Sequence, residues 1–342
     1  MEKTGSSIRI GVVGIGGMGK RWAQIASEHP DSALVAVCHL DRAQADDAAK
    51  QYGCAGYTNW QDVVRRSDVD AVVVSTPHVF LTDVSQAALA SGKHVFCEKP
   101  GGVSSVAIQR GVDLAEKQVL RYRVNFHLRL HPAIALAKKK IDQGDIGGLL
   151  FLRAVYGHGA REGYANEWWC KEELSGGGDL IDQGSHLLDL AQWFMGPFRS
   201  QSAFLDRAFW PIAPLEDNIF LLLKNELGRV AQLHGSWTHW KKTFRLELFG
   251  ENGYLLVHGL GGQYGLERLT HGERAFGREP PKEEVLEFPS EPGKPDTALK
   301  DSWDEFVRSI REGRAIGQSA AGAVEVLKLI ESGYRSQKET NN

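Results

Sequence analysis

Gly14-Ile15-Gly16-Gly17-Met18-Gly19 follows an apolar run, Ile8–Val13, and leads into a helical pattern over Met18–Glu28. A GxGxxG turn between strand and helix suits a dinucleotide for physical reasons. The first glycine permits the tight turn, and the second lets backbone approach a pyrophosphate. The third lets helix and strand pack closely, while N–H groups at the helix N-terminus face the anion. Gly14, Gly16, Gly17, Met18 and Gly19 are therefore candidate cofactor-binding residues.

The pattern continues downstream. Leu34–Cys38, Ala71–Ser75, His94–Cys97 and Arg121–Phe126 read as strands, with helices over Ala43–Tyr52, Thr82–Ser91 and Ser104–Gln118. Strands that are apolar throughout belong to a parallel sheet covered on both faces, and the βαβα order predicts a doubly wound α/β domain over residues 1–125. The texture then changes. Helices are predicted over His131–Gln143 and Asp179–Phe194, and strands over Leu149–Tyr156, Asn218–Leu223, Arg229–Trp237, Phe244–Phe249 and Tyr254–Val257. Consecutive strands without helices between them predict an α+β domain over residues 126–342, built on a large, open, mostly antiparallel sheet. Arg278–Pro295, with five prolines, reads as a surface loop ahead of helices over Ala298–Glu312 and Ser319–Arg335.

The chain of 342 residues carries 40 Lys and Arg against 43 Asp and Glu, a net charge of −3. That balance offers no electrostatic footprint for nucleic acid or an anionic membrane. Cys38, Cys54, Cys97 and Cys170 form no CxxC pair, so neither a disulfide framework nor a zinc ribbon is expected. Only Met1–Ser7 precede the first apolar run, so no signal peptide is expected. These features predict a reduced, cytoplasmic protein.

The acidic residue that usually follows a GxGxxG turn by about 20 positions, to hold the ribose, has no direct counterpart. His39 stands there, with Asp41 and Arg42 just beyond. Asp41 on the ribose favours NAD, because its charge would repel a 2′-phosphate. His39 with Arg42 on the phosphate would favour NADP, unless Arg42 simply pairs with Asp41. NAD is the preferred reading. Glu98-Lys99-Pro100 ends the fourth parallel strand, where ligands meet the cofactor in open α/β sheets. In Gly176-Gly177-Gly178-Asp179-Leu180-Ile181-Asp182-Gln183-Gly184-Ser185-His186, Asp182 and His186 are spaced i and i+4. On a helix a carboxylate could then orient an imidazole for acid–base work, although a surface ion pair or a buried structural histidine would use the same spacing. Trp168-Trp169 could stack on a sugar ring or fill a core. The HxxxH pair His127 and His131 precedes Pro132 and does not share a helix face, so no metal site is expected.

These motifs in this order resemble the Gfo/Idh/MocA (glucose–fructose oxidoreductase / inositol dehydrogenase) family. The likeness rests on the glycine turn, Ser75-Thr76-Pro77, Ala90-Ser91-Gly92-Lys93-His94-Val95, Glu98-Lys99-Pro100, the GGGxxxDxGxH pattern from Gly176 to His186, and Glu216-Asp217-Asn218. It covers nearly the whole chain. It implies a Rossmann domain whose cofactor contacts include Ser75, Thr76, Pro77, His78, Glu98 and Lys99. It further implies a catalytic trio of Lys99, Asp182 and His186, and reversible hydride transfer between a nicotinamide and a secondary alcohol of a sugar, inositol or related polyol. Lysine and histidine could exchange the role of base. Arg129 also matches a common arginine. His39 replaces the usual Asp, His78 the usual Asn, and Leu81 a frequent His. The alternatives are an NAD-dependent redox-assisted glycosidase or a non-catalytic dinucleotide sensor. The open sheet face predicts a homodimer or homotetramer.

Overall fold

The computed structural model describes residues 7–277, 279–289, 297–315 and 317–340. They form two units, Met1–Phe126 with Lys300–Val324, and His127–Leu299 with Glu325–Asn342. The first unit alternates β1 (Ile8–Val13), α1 (Gly17–Glu28), β2 (Ser32–Cys38), α2 (Arg42–Tyr52), β3 (Ala55–Tyr57), α3 (Trp60–Arg65), β4 (Ala71–Val74), α4 (His78–Ala90), β5 (His94–Glu98), α5 (Ser105–Lys117) and β6 (Tyr122–Asn125). All strand pairs are parallel, in the order β3-β2-β1-β4-β5-β6. The order reverses beside β1, which creates a ligand crevice at the carboxyl ends of β1 and β4.

The first unit extends beyond the 1–125 span expected from sequence. Lys300–Val324 returns to it, and the reason lies in one aromatic core. Trp22 of α1 meets Phe96 of β5 at 4.7 Å between ring centroids. Trp303 and Phe306, from the helix Thr297–Arg311, close on the same Phe96 ring at 5.4 and 5.3 Å. Arg123 is fully buried beside them. Its guanidinium donates to Glu305 Oε2 at 2.6 Å and Gln318 Oε1 at 3.0 Å, both from the returning segment.

The second unit carries α6 (Pro132–Asp142), β7 (Leu149–Gly157), α7 (Glu172–Ser175), α8 (Gln183–Met195), β8 (Phe198–Asp206), β9 (Asn218–Asn225), β10 (Val230–Ser236), β11 (Thr243–Gly250), β12 (Gly253–His258), β13 (Glu267–Glu273) and β14 (Glu283–Phe288). Its sheet runs β14-β13-β12-β11-β7-β10-β9-β8. Every pairing is antiparallel except β7 with β10. Period-two alternation sorts the faces. On β9 and β10, Leu221, Leu223, Ala231 and Leu233 are buried, while Phe220, Leu222 and Val230 face outward.

Two expectations about this region need correction. The stretch from Arg278 to Pro295 is not all loop, because Glu283–Phe288 pairs with β13 as an edge strand whose prolines flank the pairing. Residues 278 and 290–296 lie outside the described residues. The helix expected over Asp179–Phe194 begins only at Gln183. Among the described residues no helix is long and apolar enough to cross a membrane.

Candidate active site

The glycine turn is built as a cradle. Gly14 N and Ile15 N donate to Cys38 O at 2.9 and 3.2 Å, which ties the turn to the end of β2. Gly14 adopts φ +94°, and a Cβ there would lie 2.6 Å from Ser75 O. A Cβ on Gly19 would lie 1.8 Å from Gly14 O, whereas Gly16 and Gly17 face open space. The first and third glycines of the GxGxxG turn thus serve close packing, and the middle ones leave room for a ligand. Ser75 Oγ donates to Gly14 O at 2.7 Å. No side chain caps α1 and no acid occupies its first turn, so the helix N-terminus suits an anion. The buried Thr76 Oγ1, at the end of β4, has no hydrogen-bond partner among the described residues. A dinucleotide fits this set of donors and spaces.

At the end of β2 the residues act on each other. Asp41 Oδ1 accepts from Gln44 N at 3.2 Å and caps α2, and that backbone N–H holds the Asp41 carboxyl below its usual range. His39 Nδ1 accepts from Asp41 N at 3.0 Å. Arg42 does not pair with Asp41. Its guanidinium lies 3.5 Å from Asp46, one helical turn on.

At the end of β5, Glu98 is buried and accepts from Trp22 Nε1 at 2.7 Å and Asn125 Nδ2 at 3.3 Å. Burial pushes its carboxyl up, and the Trp22 N–H pulls it partly back. Ser302 Oγ donates to Asn125 Oδ1 at 2.7 Å, so the returning segment also braces this corner. Lys99 follows directly, joined to Pro100 by a cis peptide. A buried, hydrogen-bonded neighbour thus holds the backbone that presents the lysine. His78 is buried at the start of α4, and Leu81 is wholly buried in the core of the unit.

In the second unit, Asp182 is the N-cap residue of α8 and His186 lies in the first turn, 4% exposed. The i, i+4 relation therefore spans a helix start rather than a helix face. Edge-on rings surround the imidazole, His127 at 5.2 Å and Tyr156 at 6.0 Å between centroids. Tyr156 shares a hydrogen bond with Tyr264, whose ring lies 5.5 Å away. Burial pushes both phenols up, Tyr264 to about 12, and the negative charge of Asp182 acts on both in the same direction. The segment ahead of the helix is fixed by the buried Glu216. Its Oε1 accepts from Leu180 N at 3.0 Å and from Tyr334 Oη at 2.9 Å, and its carbonyl accepts from Asp179 N at 3.1 Å. A Cβ on Gly178 would lie 2.1 Å from Glu216 O, which explains the glycine there.

Arg129 has a defined place. It holds Asp189 of α8 through two bonds of 2.7 and 2.5 Å, and so fixes the turn His127–Leu130 that brings His127 to His186. His131 turns away to Glu267 Oε2 at 3.1 Å. The Trp168 and Trp169 rings lie 4.0 Å apart, tilted by 32°, and Trp169 packs against the buried cluster of Tyr164, Ile212, Leu215 and Trp237. His127 and Tyr156, whose rings meet His186, and Tyr264, whose ring meets Tyr156, are residues that sequence reasoning missed. Only the HxxxH spacing drew attention to His127.

Residues 8–126 match the model of the oxidoreductase family with an NAD-binding Rossmann fold, and residues 134–256 match the GFO/IDH/MocA C-terminal domain. Inositol 2-dehydrogenase of Rhizobium meliloti is 25% identical over 344 residues, covering 97% of this chain and 98% of that protein. D-glucoside 3-dehydrogenase of Escherichia coli is 31% identical over 201 residues, covering 56% of this chain and 55% of its own length. A solved levoglucosan dehydrogenase, in complex with NADH and levoglucosan, superposes with a TM-score of 0.87 at 20% identity, covering 98% of each chain. With the NAD cradle in the first unit and both halves of the chain matched by models of one family, the protein belongs to the Gfo/Idh/MocA oxidoreductases.

Proposed function

We propose that the protein is an NAD-dependent dehydrogenase acting on a secondary alcohol of a sugar, inositol or related polyol. The observation that carries this reading is the buried imidazole of His186 at the head of α8, one turn from the Asp182 carboxylate and edge-on to the Tyr156 ring. Histidine titrates near neutral pH, so it can take a hydroxyl proton as general base. Asp182 orients the imidazole and holds a neighbouring hydroxyl. Lys99, presented by the Glu98 corner, hydrogen-bonds the reacting oxygen and stabilises its developing negative charge. Tyr156 and Tyr264 keep their protons at neutral pH, so they bind sugar hydroxyls without competing for the base role. Gly14, Gly16, Gly17, Met18 and Gly19 hold the pyrophosphate, with His39, Asp41 and Arg42 toward the ribose and Ser75, Thr76, Pro77 and His78 lining the remainder of the dinucleotide. When bound, NAD supplies the hydride acceptor.

A panel of sugars, inositols and nucleotide sugars, followed by nicotinamide absorbance with NAD and with NADP, tests the reading. Reduction of NAD by at least one neutral sugar or polyol is expected. No turnover across the panel would sink it.

The outward sheet face supports self-association. Phe151, Phe204, Phe220, Leu222 and Val230 are all exposed on it, more than a solvated face carries by chance. We expect a dimer or tetramer by sedimentation at micromolar protein, shifted toward monomer by Leu222→Glu. A wild-type monomer would refute this. The separated thiols of Cys38, Cys54, Cys97 and Cys170 support a cytoplasmic location.

A further inference from the structure

Glu216 and Asp217 are consecutive, both buried, and hold different parts of the second unit. Glu216 fixes the backbone of Asp179 and Leu180, just ahead of Asp182. Asp217 accepts from the backbone N–H groups of Ala208, Phe209 and Trp210 at 2.8, 2.9 and 2.8 Å. Its carbonyl accepts from Trp237 N at 2.8 Å. Consecutive Cα atoms are about 3.8 Å apart, so one dipeptide locks the catalytic helix start and the 208–210 turn into a fixed offset.

That turn presents aromatic surface. Phe209 is 61% exposed and Trp240 is 68% exposed, with their rings edge-to-face at 5.0 Å. Trp240 is seated on Gly159, where a Cβ would meet indole Cε3 at 3.0 Å. Beneath them Trp210 Nε1 donates to Trp237 O at 2.9 Å, and the Trp210 ring lies 6.0 Å from Tyr164. Tyr164 in turn meets His158 edge-on at 5.9 Å, two residues beyond Tyr156, whose ring meets His186. The exposed pair is thus the outer end of an aromatic run that leads back toward Tyr156 and His186. Three charge-assisted bonds to one buried carboxylate make the turn rigid, and rigid exposed aromatics bind at low entropic cost.

We propose that Phe209 and Trp240 form an outer subsite that receives the second ring of a glycoside, beyond the ring that is oxidised. The flat C–H face of a pyranose stacks on an indole or phenyl ring, and Trp240 offers the larger one. This rests on the dehydrogenase reading and narrows its substrate to sugars carrying a further ring.

The test compares cellobiose, lactose and trehalose with their component monosaccharides. Binding is measured by titration calorimetry on the full chain loaded with NADH, and turnover is measured with NAD. At least one disaccharide is expected to bind roughly tenfold tighter than its monosaccharide, the effect of one aromatic stack. Trp240→Ala should remove that advantage and leave monosaccharide affinity within about twofold, while Trp240→Phe keeps most of it. Equal wild-type affinity for both sugar classes, or equal loss of both in Trp240→Ala, overturns the subsite. A changed sedimentation coefficient in Trp240→Ala also overturns it and makes the pair a contact between copies. Selective disaccharide binding without any turnover supports the subsite and counts against the dehydrogenase reading alone.

Discussion

Alanine at His186 is expected to lower kcat by about 100-fold or more while NADH affinity stays within about twofold, and Lys99→Ala is expected to do the same. General acid–base transfer by a positioned side chain contributes roughly 100- to 10,000-fold, which His186→Ala removes, and one donor to a developing negative charge contributes roughly 100- to 1,000-fold, which Lys99→Ala removes. The two positions lie in different units, yet each rests on a buried carboxylate that fixes its backbone. Glu98 directly precedes Lys99, and Glu216 grips Leu180 ahead of Asp182 and His186. The truncations therefore leave the supporting carboxylates and the glycine cradle intact. Stopped-flow reduction of NAD beside fluorescence titration of NADH separates the two effects. Near-normal turnover in both variants would remove the acid–base assignment.

Trp303→Ala is expected to destabilise the first unit by about 3–5 kcal/mol, the usual cost of truncating a large buried aromatic. Trp303 is 0% exposed and touches Trp22 as well as Phe96, so its loss opens a cavity against two other aromatics. Urea unfolding should show a lower midpoint for this unit. With two units the transition need not be single, and probes in each should be followed separately. An unchanged midpoint would show that the returning segment is not part of that core.

The α/β half was legible because its signals are local. Val12, Val13, Val72, Val73 and Val74 are buried on both sheet faces and so leave no alternation to confuse. The three-residue β3 and six-residue α3 escaped because neither is long enough to show a period. In the second half, the leucines at 180, 187, 188 and 190 suggested a helix from Asp179. The backbone instead stays irregular to Asp182, because Leu180 N is satisfied by Glu216, 36 residues away. Glu216 and Asp217 could be recognised as a motif but not assigned a task, since their partners are backbone groups placed by folding. Arg129 with Asp189, and Tyr264 with Tyr156, belong to the same class of long-range pairing. Trp303 and Phe306 sit in an ordinary amphipathic pattern, and nothing local marks which unit that stripe will cover.

The return of Lys300–Val324 to the first unit also sets a timetable for biosynthesis. The six parallel strands are complete once residue 126 has left the ribosome, but Phe96 and Trp22 then lack two of their ring partners, and Arg123 lacks its carboxylate. At about 5–20 residues per second the missing segment follows roughly 10–35 s later. During that interval the nascent sheet carries an uncovered aromatic patch and a buried-type cation without its counter-charge. The second unit emerges inside the same interval and is itself completed only by Glu325–Asn342, whose Tyr334 donates to Glu216, so neither half of this chain is sealed until well after residue 300.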